Sequence, residues 1–181
     1  MKRYAFCPVC GRPYRDAHPV ESAPTVLDCP SCGFRFWQNS KPAVAALITR
    51  LRGGRHEVLL SRRGIEPHKG AWDLPGGFLS NGELPADGLD RELREEIGVR
   101  SREARLFTVG IAEYPSEDLA QETRFVLSLY FRCTIDPEAP LVAADDVAEV
   151  RWYPLSQLPT PMAFAPDLGA LRELARELNA G

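Results

Sequence analysis

The sequence predicts an α/β fold led by a small cysteine-rich appendage, and three observations carry that prediction. Apolar runs of strand character alternate with two stretches of helical periodicity. Two Cys-Pro-x-Cys-Gly knuckles lie within the first forty residues. At 181 residues and 44% hydrophobic content, the chain can bury one good core plus an appendage held by something other than apolar burial. Domains at 1–38 and 39–181 follow, with Gln38-Asn39-Ser40-Lys41-Pro42 as the linking stretch.

The appendage comes first along the chain. Cys7-Pro8-Val9-Cys10-Gly11 and Cys29-Pro30-Ser31-Cys32-Gly33 are separated by 18 residues, the spacing of a four-thiolate zinc site. The glycine after each second cysteine lets the backbone turn tightly around the ion. Four thiolates close the coordination sphere, so the expected Zn²⁺ is structural and supplies much of the folding energy of a zinc ribbon. Two disulfides would require an oxidising compartment. Met1-Lys2-Arg3-Tyr4 opens onto Cys7 without an apolar signal core, so a reduced, cytoplasmic protein is expected. A redox CXXC would need only one pair. Cys133 sits in the apolar run 125–135 and is expected to be a buried small side chain.

Beyond the linker, Ala43–Leu51 and Glu57–Arg62 read as strands joined by a Gly53-Gly54 turn. Asn81-Gly82 signals a turn, Pro85 suits a first helical turn, and Gly98 can take the left-handed stop, so a helix is expected over about 84–97. Ala86, Leu89, Leu93 and Ile97 form its core stripe. Strands follow near Leu106–Ala112, Arg124–Thr134 and Ala148–Tyr153. A final helix near Asp167–Leu178 carries Leu168, Leu171, Ala175 and Leu178 as a packing face.

The first helix holds the most informative pattern. At 3.6 residues per turn, Glu92 and Glu96 lie about 40° apart around the axis, with Glu95 about 60° to the other side of Glu92. Three carboxylates therefore share one face at the rim of the core. Like charges this close destabilise a purely structural helix, whereas Mg²⁺ or Mn²⁺ would neutralise them. The alternative is a solvated acidic face with Arg91 paired to Glu95 one turn on. A glycine at 77, Glu83 six residues later, and Arg91-Glu92-Leu93-x-Glu95-Glu96-x-Gly98-Val99 make that alternative the weaker one.

These residues match every specified position of the Nudix box, and the chain from roughly 40 to 160 resembles the Nudix hydrolases, which cleave nucleoside diphosphates linked to another moiety. Trp72-Asp73-Leu74-Pro75-Gly76 leads into the box as in that family. The resemblance implies an α/β/α sandwich around a mixed sheet. It implies Mg²⁺ or Mn²⁺ held by Glu92, Glu95 and Glu96 with the Gly76 carbonyl, Arg91 orienting a glutamate, and Glu83 bracing the loop or joining the metal shell. A general base is expected outside the box; Glu149 ranks first, followed by Glu117, Asp118 and Glu122. Leu84, where a Ser or Thr commonly caps the helix, and Gly88, where alanine is usual, depart from the pattern at a cost of about 1 kcal/mol each.

Substrate contacts are less legible. Arg62, Arg63 and Lys69 could reach phosphates, and Phe78, Tyr114, Trp37 or Phe164 could stack a base, against solvation or core packing as the plain alternatives. His18, His56 and His68 form no ligand spacing. The Ser-Gln-Pro-Trp-Pro-Phe-Pro run of NADH pyrophosphatases is absent from 100–115. The ribbon, Arg63-Gly64-Ile65-Glu66-Pro67 and Met162-Ala163-Phe164 look more like a ribbon-bearing branch associated with ADP-ribose and FAD, and Pro115 resembles a proline of ADP-ribose-cleaving members. The expected reaction is hydrolysis of a dinucleotide or nucleotide-sugar pyrophosphate to a nucleoside monophosphate. Other readings are an NADH pyrophosphatase, a triphosphate or RNA-cap hydrolase, a non-catalytic nucleotide sensor and a ribbon-led RNA binder. A net charge of −3 argues against broad attraction to nucleic acid, and no segment approaches membrane-spanning length. A homodimer is compatible with the chain.

Overall fold

The computed structural model describes residues 6–13, 19–20, 23–37, 39–114 and 124–180. They divide into two compact units: the described parts of 1–40 and 115–125, and 41–114 with 126–180.

In the first unit, β1 (Pro19–Val20), β2 (Ala23–Asp28) and β3 (Arg35–Trp37) form a small antiparallel sheet in that order. The two knuckles repeat one geometry. Gly11 N–H donates to Cys7 O at 2.9 Å and Gly33 N–H to Cys29 O at 2.9 Å, each glycine at positive φ. The four sulfurs lie within 4.8 Å of one another, with Cys7–Cys32 and Cys10–Cys29 each at 3.7 Å. Those separations exceed a disulfide bond, and they match the edge of a sulfur tetrahedron around Zn²⁺ at about 2.3 Å, roughly 3.8 Å. The cluster therefore fits zinc.

The second unit is built on a mixed sheet. Its strands are β4 (Lys41–Arg52), β5 (Arg55–Arg63), β8 (Arg102–Tyr114), β9 (Arg124–Thr134) and β10 (Val147–Pro154), ordered β10-β5-β4-β9-β8. β4 runs parallel to β9 through residues 41–48 and antiparallel to β5 through 49–52. Two short strands complete it: β6 (Trp72–Asp73) pairs with β5, and β7 (Gly76–Phe78) pairs with β4.

Alternation along the strands assigns the faces. Val44, Ala46, Ile48, Leu59 and Phe131 pack under α1 (Pro85–Ile97) with Leu89, Leu93 and Ile97. Leu47, Val58, Leu60 and Tyr130 face the other way, toward Ala170, Leu171 and Leu174 of α2 (Ala165–Ala180). Helix, sheet and helix form three layers, the expected sandwich.

Two expected stripes shift. Ala86 is exposed, and the buried face of α1 instead includes Glu92 and Glu96, so these carboxylates lie under the rim while Glu95 alone of the three stays exposed. β7 accounts for the buried carboxylates: Gly77 has no side chain where the Glu92 carboxylate lies, and the Gly76 amide reaches Glu96. On α2 the buried line runs through Asp167, Ala170, Leu171 and Leu174, displaced from the expected Leu168 and Ala175. Cys133 is buried as expected.

Leu84 stands at the N-cap of α1 with no side-chain cap, and Gly98 closes the helix at φ 74°. Complete burial of Leu89, Leu93 and Ile97, about 1.5–3 kcal/mol each, outweighs a missing cap of about 1 kcal/mol. Gly88 has a packing reason: a Cβ there would fall 2.3 Å from Leu79 Cδ2. At Gly76, φ is 148° and a Cβ would meet Val44 O at 2.1 Å. Backbone offers no relief, so Gly76→Ala is expected to destabilise the protein by more than about 3 kcal/mol in denaturant unfolding, a loss well beyond that of a surface substitution.

Candidate active site

Three backbone segments meet at one end of α1. β7 and the turn before it supply Gly76 and Gly77. The helix supplies Arg91, Glu92, Glu95 and Glu96. The segment before β10 is tied to the end of the helix, with Val142 and Ala144 N–H donating to Ile97 O and Glu96 O at 3.2 and 2.9 Å. These bonds satisfy terminal helix carbonyls and bring Asp146 toward Glu96.

Arg91 organises the cluster. Its Nε and Nη2 hold Glu83 as a fork, at 2.8 and 2.9 Å, and Nη2 also reaches Phe78 O at 3.0 Å. Its Nη1 donates to Glu92 Oε1 at 2.8 Å and Glu95 Oε2 at 3.0 Å. The Arg91–Glu95 pair of the plain alternative is thus present, as one bond of five. Glu83 also accepts from Ser80 N–H at 2.8 Å, so it braces the loop. Arg91 first, then Ser80, hold the Glu83 carboxyl down at about 2.

The deeper carboxylates have the opposite character. Glu96 accepts Gly76 N–H at 2.8 Å and has no cationic partner among the described residues. Burial first, then the charges of Asp146, Glu92 and Asp73, push it up to about 9 against the stabilising Gly76 bond. Burial also raises Glu92, opposed by Arg91. Gly77 leaves room for this group: a Cβ there would fall 2.6 Å from the Glu92 carboxylate.

Buried hard oxygens with too few positive charges suit a divalent cation. The carboxylates are less tightly gathered than the sulfurs: the four sulfurs lie within 4.8 Å of one another, and among the described residues no set of three or more carboxylates forms such a metal-type group. An open arrangement of this kind fits Mg²⁺ or Mn²⁺, which retain waters and share substrate phosphate oxygens.

A cavity of about 280 Å³ adjoins the cluster, lined by Gly76, Gly77, Asp73, Asp146, Arg63, Ile65, Phe78, Phe164 and Asp167 among others. Of the sequence-predicted substrate residues, Phe78 and Arg63 line it. Arg63 is anchored to Pro67 O and Asp73 and lies over the Phe164 ring, which the sequence offered as a stacking group. Arg62 does not line it; its Nε donates to Gly70 O and its Nη1 sits 3.7 Å from Glu149. Glu149 also pairs with Arg151 and stands off the cavity lining. Lys69 is exposed, and Trp37 belongs to the first unit. Glu117, Asp118, Glu122, Pro115 and the Tyr114 side chain lie outside the described residues.

Sequence reasoning missed Asp73, Asp146 and Asp167. Asp73 stands in the run that leads into the box and Asp146 three residues before Glu149, but only tertiary placement brings them to the cavity. Asp167 carried no signal, because an acidic residue in a first helical turn ordinarily complements the helix dipole.

A three-layer α/β fold with an acidic helix edge over a glycine strand defines the class, and comparison with known proteins supplies the family. Residues 40–174 match the family model described as the NUDIX domain, and the chain belongs to that family. It is 28% identical over 176 residues to the NAD-capped RNA hydrolase NudC of Deinococcus radiodurans, covering 96% of this chain and 56% of that one. It is 29% identical over 126 residues to the ADP-ribose pyrophosphatase of Methanocaldococcus jannaschii, covering 70% of this chain and 69% of that one. The NUDIX hydrolase structure from Nitrosomonas europaea superposes with a TM-score of 0.75 at 27% identity, over 98% of this chain and 94% of that one. The chain spans about half the length of the NudC relatives it matches. No helix of the described residues is long and apolar enough to cross a membrane.

A cation held by Glu96 would compete with its proton, so affinity for Mn²⁺ is expected to rise with pH up to about 9 and to be accompanied by proton release. Calorimetry in buffers of different ionisation enthalpy checks this, and Glu96→Gln is expected to remove both the pH dependence and most of the affinity.

Proposed function

We propose that this chain is a divalent-cation-dependent pyrophosphohydrolase acting on a nucleoside diphosphate linked to another moiety, of the ADP-ribose, FAD or NAD kind, and releasing a nucleoside monophosphate. The observation that carries this reading is the burial of Glu92 and Glu96 beside a cavity of about 280 Å³, with no cation on Glu96 among the described residues. Glu92, Glu95, Glu96 and the Gly76 carbonyl are the proposed ligands. A cation bound there neutralises pyrophosphate charge and lowers the pKa of water.

The protein's own groups do the rest. Arg91 fixes Glu92 and Glu95 through one oxygen each, and Gly77 leaves the Glu92 carboxylate unobstructed. Phe78 and Phe164 offer aromatic faces to a base, and Arg63 a positive charge. Glu149 is engaged by Arg62 and Arg151, so Asp146, which lines the cavity, is the better placed acceptor for a proton leaving water. No nucleophilic side chain is required.

A second reading, hydrolysis of NADH or of an NAD cap on RNA, draws on the extent of similarity. The NudC relative aligns over 96% of the chain, whereas the ADP-ribose pyrophosphatase aligns over 70%. The missing Ser-Gln-Pro-Trp-Pro-Phe-Pro run weighs the other way.

One panel separates these readings: ADP-ribose, FAD, NADH, NAD-capped RNA, diadenosine polyphosphates and nucleoside triphosphates with Mg²⁺ or Mn²⁺, products identified by mass. ADP-ribose or FAD is expected to give the highest kcat/KM, and Glu96→Gln to lower it by about 10²–10³-fold. Turnover undiminished in that variant rules out the assigned site. We also propose that the cysteine cluster holds a structural Zn²⁺. Metal analysis is expected to find one zinc per chain, lost in Cys7→Ser with unfolding of the ribbon rather than loss of the pyrophosphatase chemistry.

A further inference from the structure

Four side chains from four elements meet where α2 begins: Asp167 on α2, Asp73 on β6, Tyr130 on β9 and Arg63 on β5. Asp167 is only 5% exposed. The Tyr130 hydroxyl donates to its Oδ1 at 2.7 Å, while Oδ2, closed off from solvent, has no hydrogen-bond partner among the described residues. Asp73 lies within hydrogen-bonding reach of Asp167. Both Asp73 oxygens are already served, Oδ1 by Leu74 N–H at 2.8 Å and Oδ2 by Arg63 at 3.1 Å.

Two ionised carboxylates here would place like charges together out of water and leave buried lone pairs without a donor. A single proton on Asp167 Oδ2, donated to Asp73, removes both faults. We propose that Asp167 and Asp73 share one proton, and that this link is a positioning device for the turn that carries Gly76. The covalent path is short: Asp73 accepts Leu74 N–H, Pro75 O accepts Ala46 N–H at 2.8 Å, and Gly76 N–H holds Glu96. The proton link stands without the proposed function; the positioning role rests on it, through Gly76 and Glu96.

The electrostatics agree. Burial first, then Asp73, raise Asp167 well above the usual carboxylate range, opposed by Tyr130 and Arg63. A group raised on folding binds its proton more firmly in the native state. Its contribution to stability is therefore full below the unfolded value, near pH 4, and declines as pH rises toward the folded one. Asparagine reproduces the protonated carboxyl, with Nδ2–H toward Asp73 and Oδ1 toward Tyr130, and does not titrate.

The test uses the full chain with Asp167→Asn and Asp167→Ala. Infrared difference spectra of wild type against Asp167→Asn at neutral pH are expected to contain the carbonyl stretch of a protonated carboxyl. Denaturant unfolding between pH 5 and pH 8 is expected to show Asp167→Asn gaining stability relative to wild type as pH rises. Mn²⁺ affinity is expected to stay within about twofold in Asp167→Asn and to fall by about tenfold in Asp167→Ala. Absence of the carbonyl band, or an Asp167→Asn variant that loses ground with rising pH, overturns the shared proton. Unchanged Mn²⁺ affinity in a folded Asp167→Ala overturns the positioning role. Should the substrate panel show no turnover, the band and the pH trend still decide the proton link, so the two failures are distinguishable.

Discussion

The burial of two carboxyl groups against the glycines of β7 is the constraint on which the rest of the site depends. Glu92 can lie under the rim of α1 because Gly77 leaves its carboxylate the space, and Glu96 does so where the Gly76 amide meets it. In water these groups would ionise freely; beneath the rim, desolvation opposes their charge. The fold answers only part of that demand, through the Gly76 amide and one nitrogen of Arg91. What remains is a pair of buried carboxyl groups short of positive charge on a rigid support, the electrostatic basis of the proposed cation site.

Rigidity comes from apolar packing, and orientation from Arg91. The helix lacks a side-chain cap and carries a mid-helix glycine, yet its buried face of Leu89, Leu93 and Ile97 holds it on the sheet. Gly88 lets Leu79 lie against the helix, so the loop between β7 and α1 closes over its first turn. Arg91 then ties that loop to the carboxylates, binding Glu83 as a fork and Glu92 and Glu95 singly. A lysine could not make this set of directed bonds from one position, because it lacks the planar guanidinium.

Much of the fold was legible because its signals are local. The limits of α1 follow from Pro85 and Gly98, and β9 spans the expected 124–134. The short strands β6 and β7 were not legible, since two or three residues carry no period and gain strand geometry only from pairing with β5 and β4. The expected exposure of Glu92 and Glu96 failed for a related reason. Charged type predicts solvent, whereas burial was decided by a neighbour remote in sequence.

The chain's own order of residues determined the two metal-type clusters: cysteine pairs at fixed spacing, and glutamates three and four apart on a helix. Both follow from local geometry that any fold must respect. Tertiary structure alone decided which further carboxylates line the cavity beside the glutamates. Asp73, Asp146 and Asp167 come from a strand, a loop and a helix, and their mutual approach depends on sheet order and on both helices packing across it. Charge interactions act through space and not along the chain, so no spacing in the sequence records them.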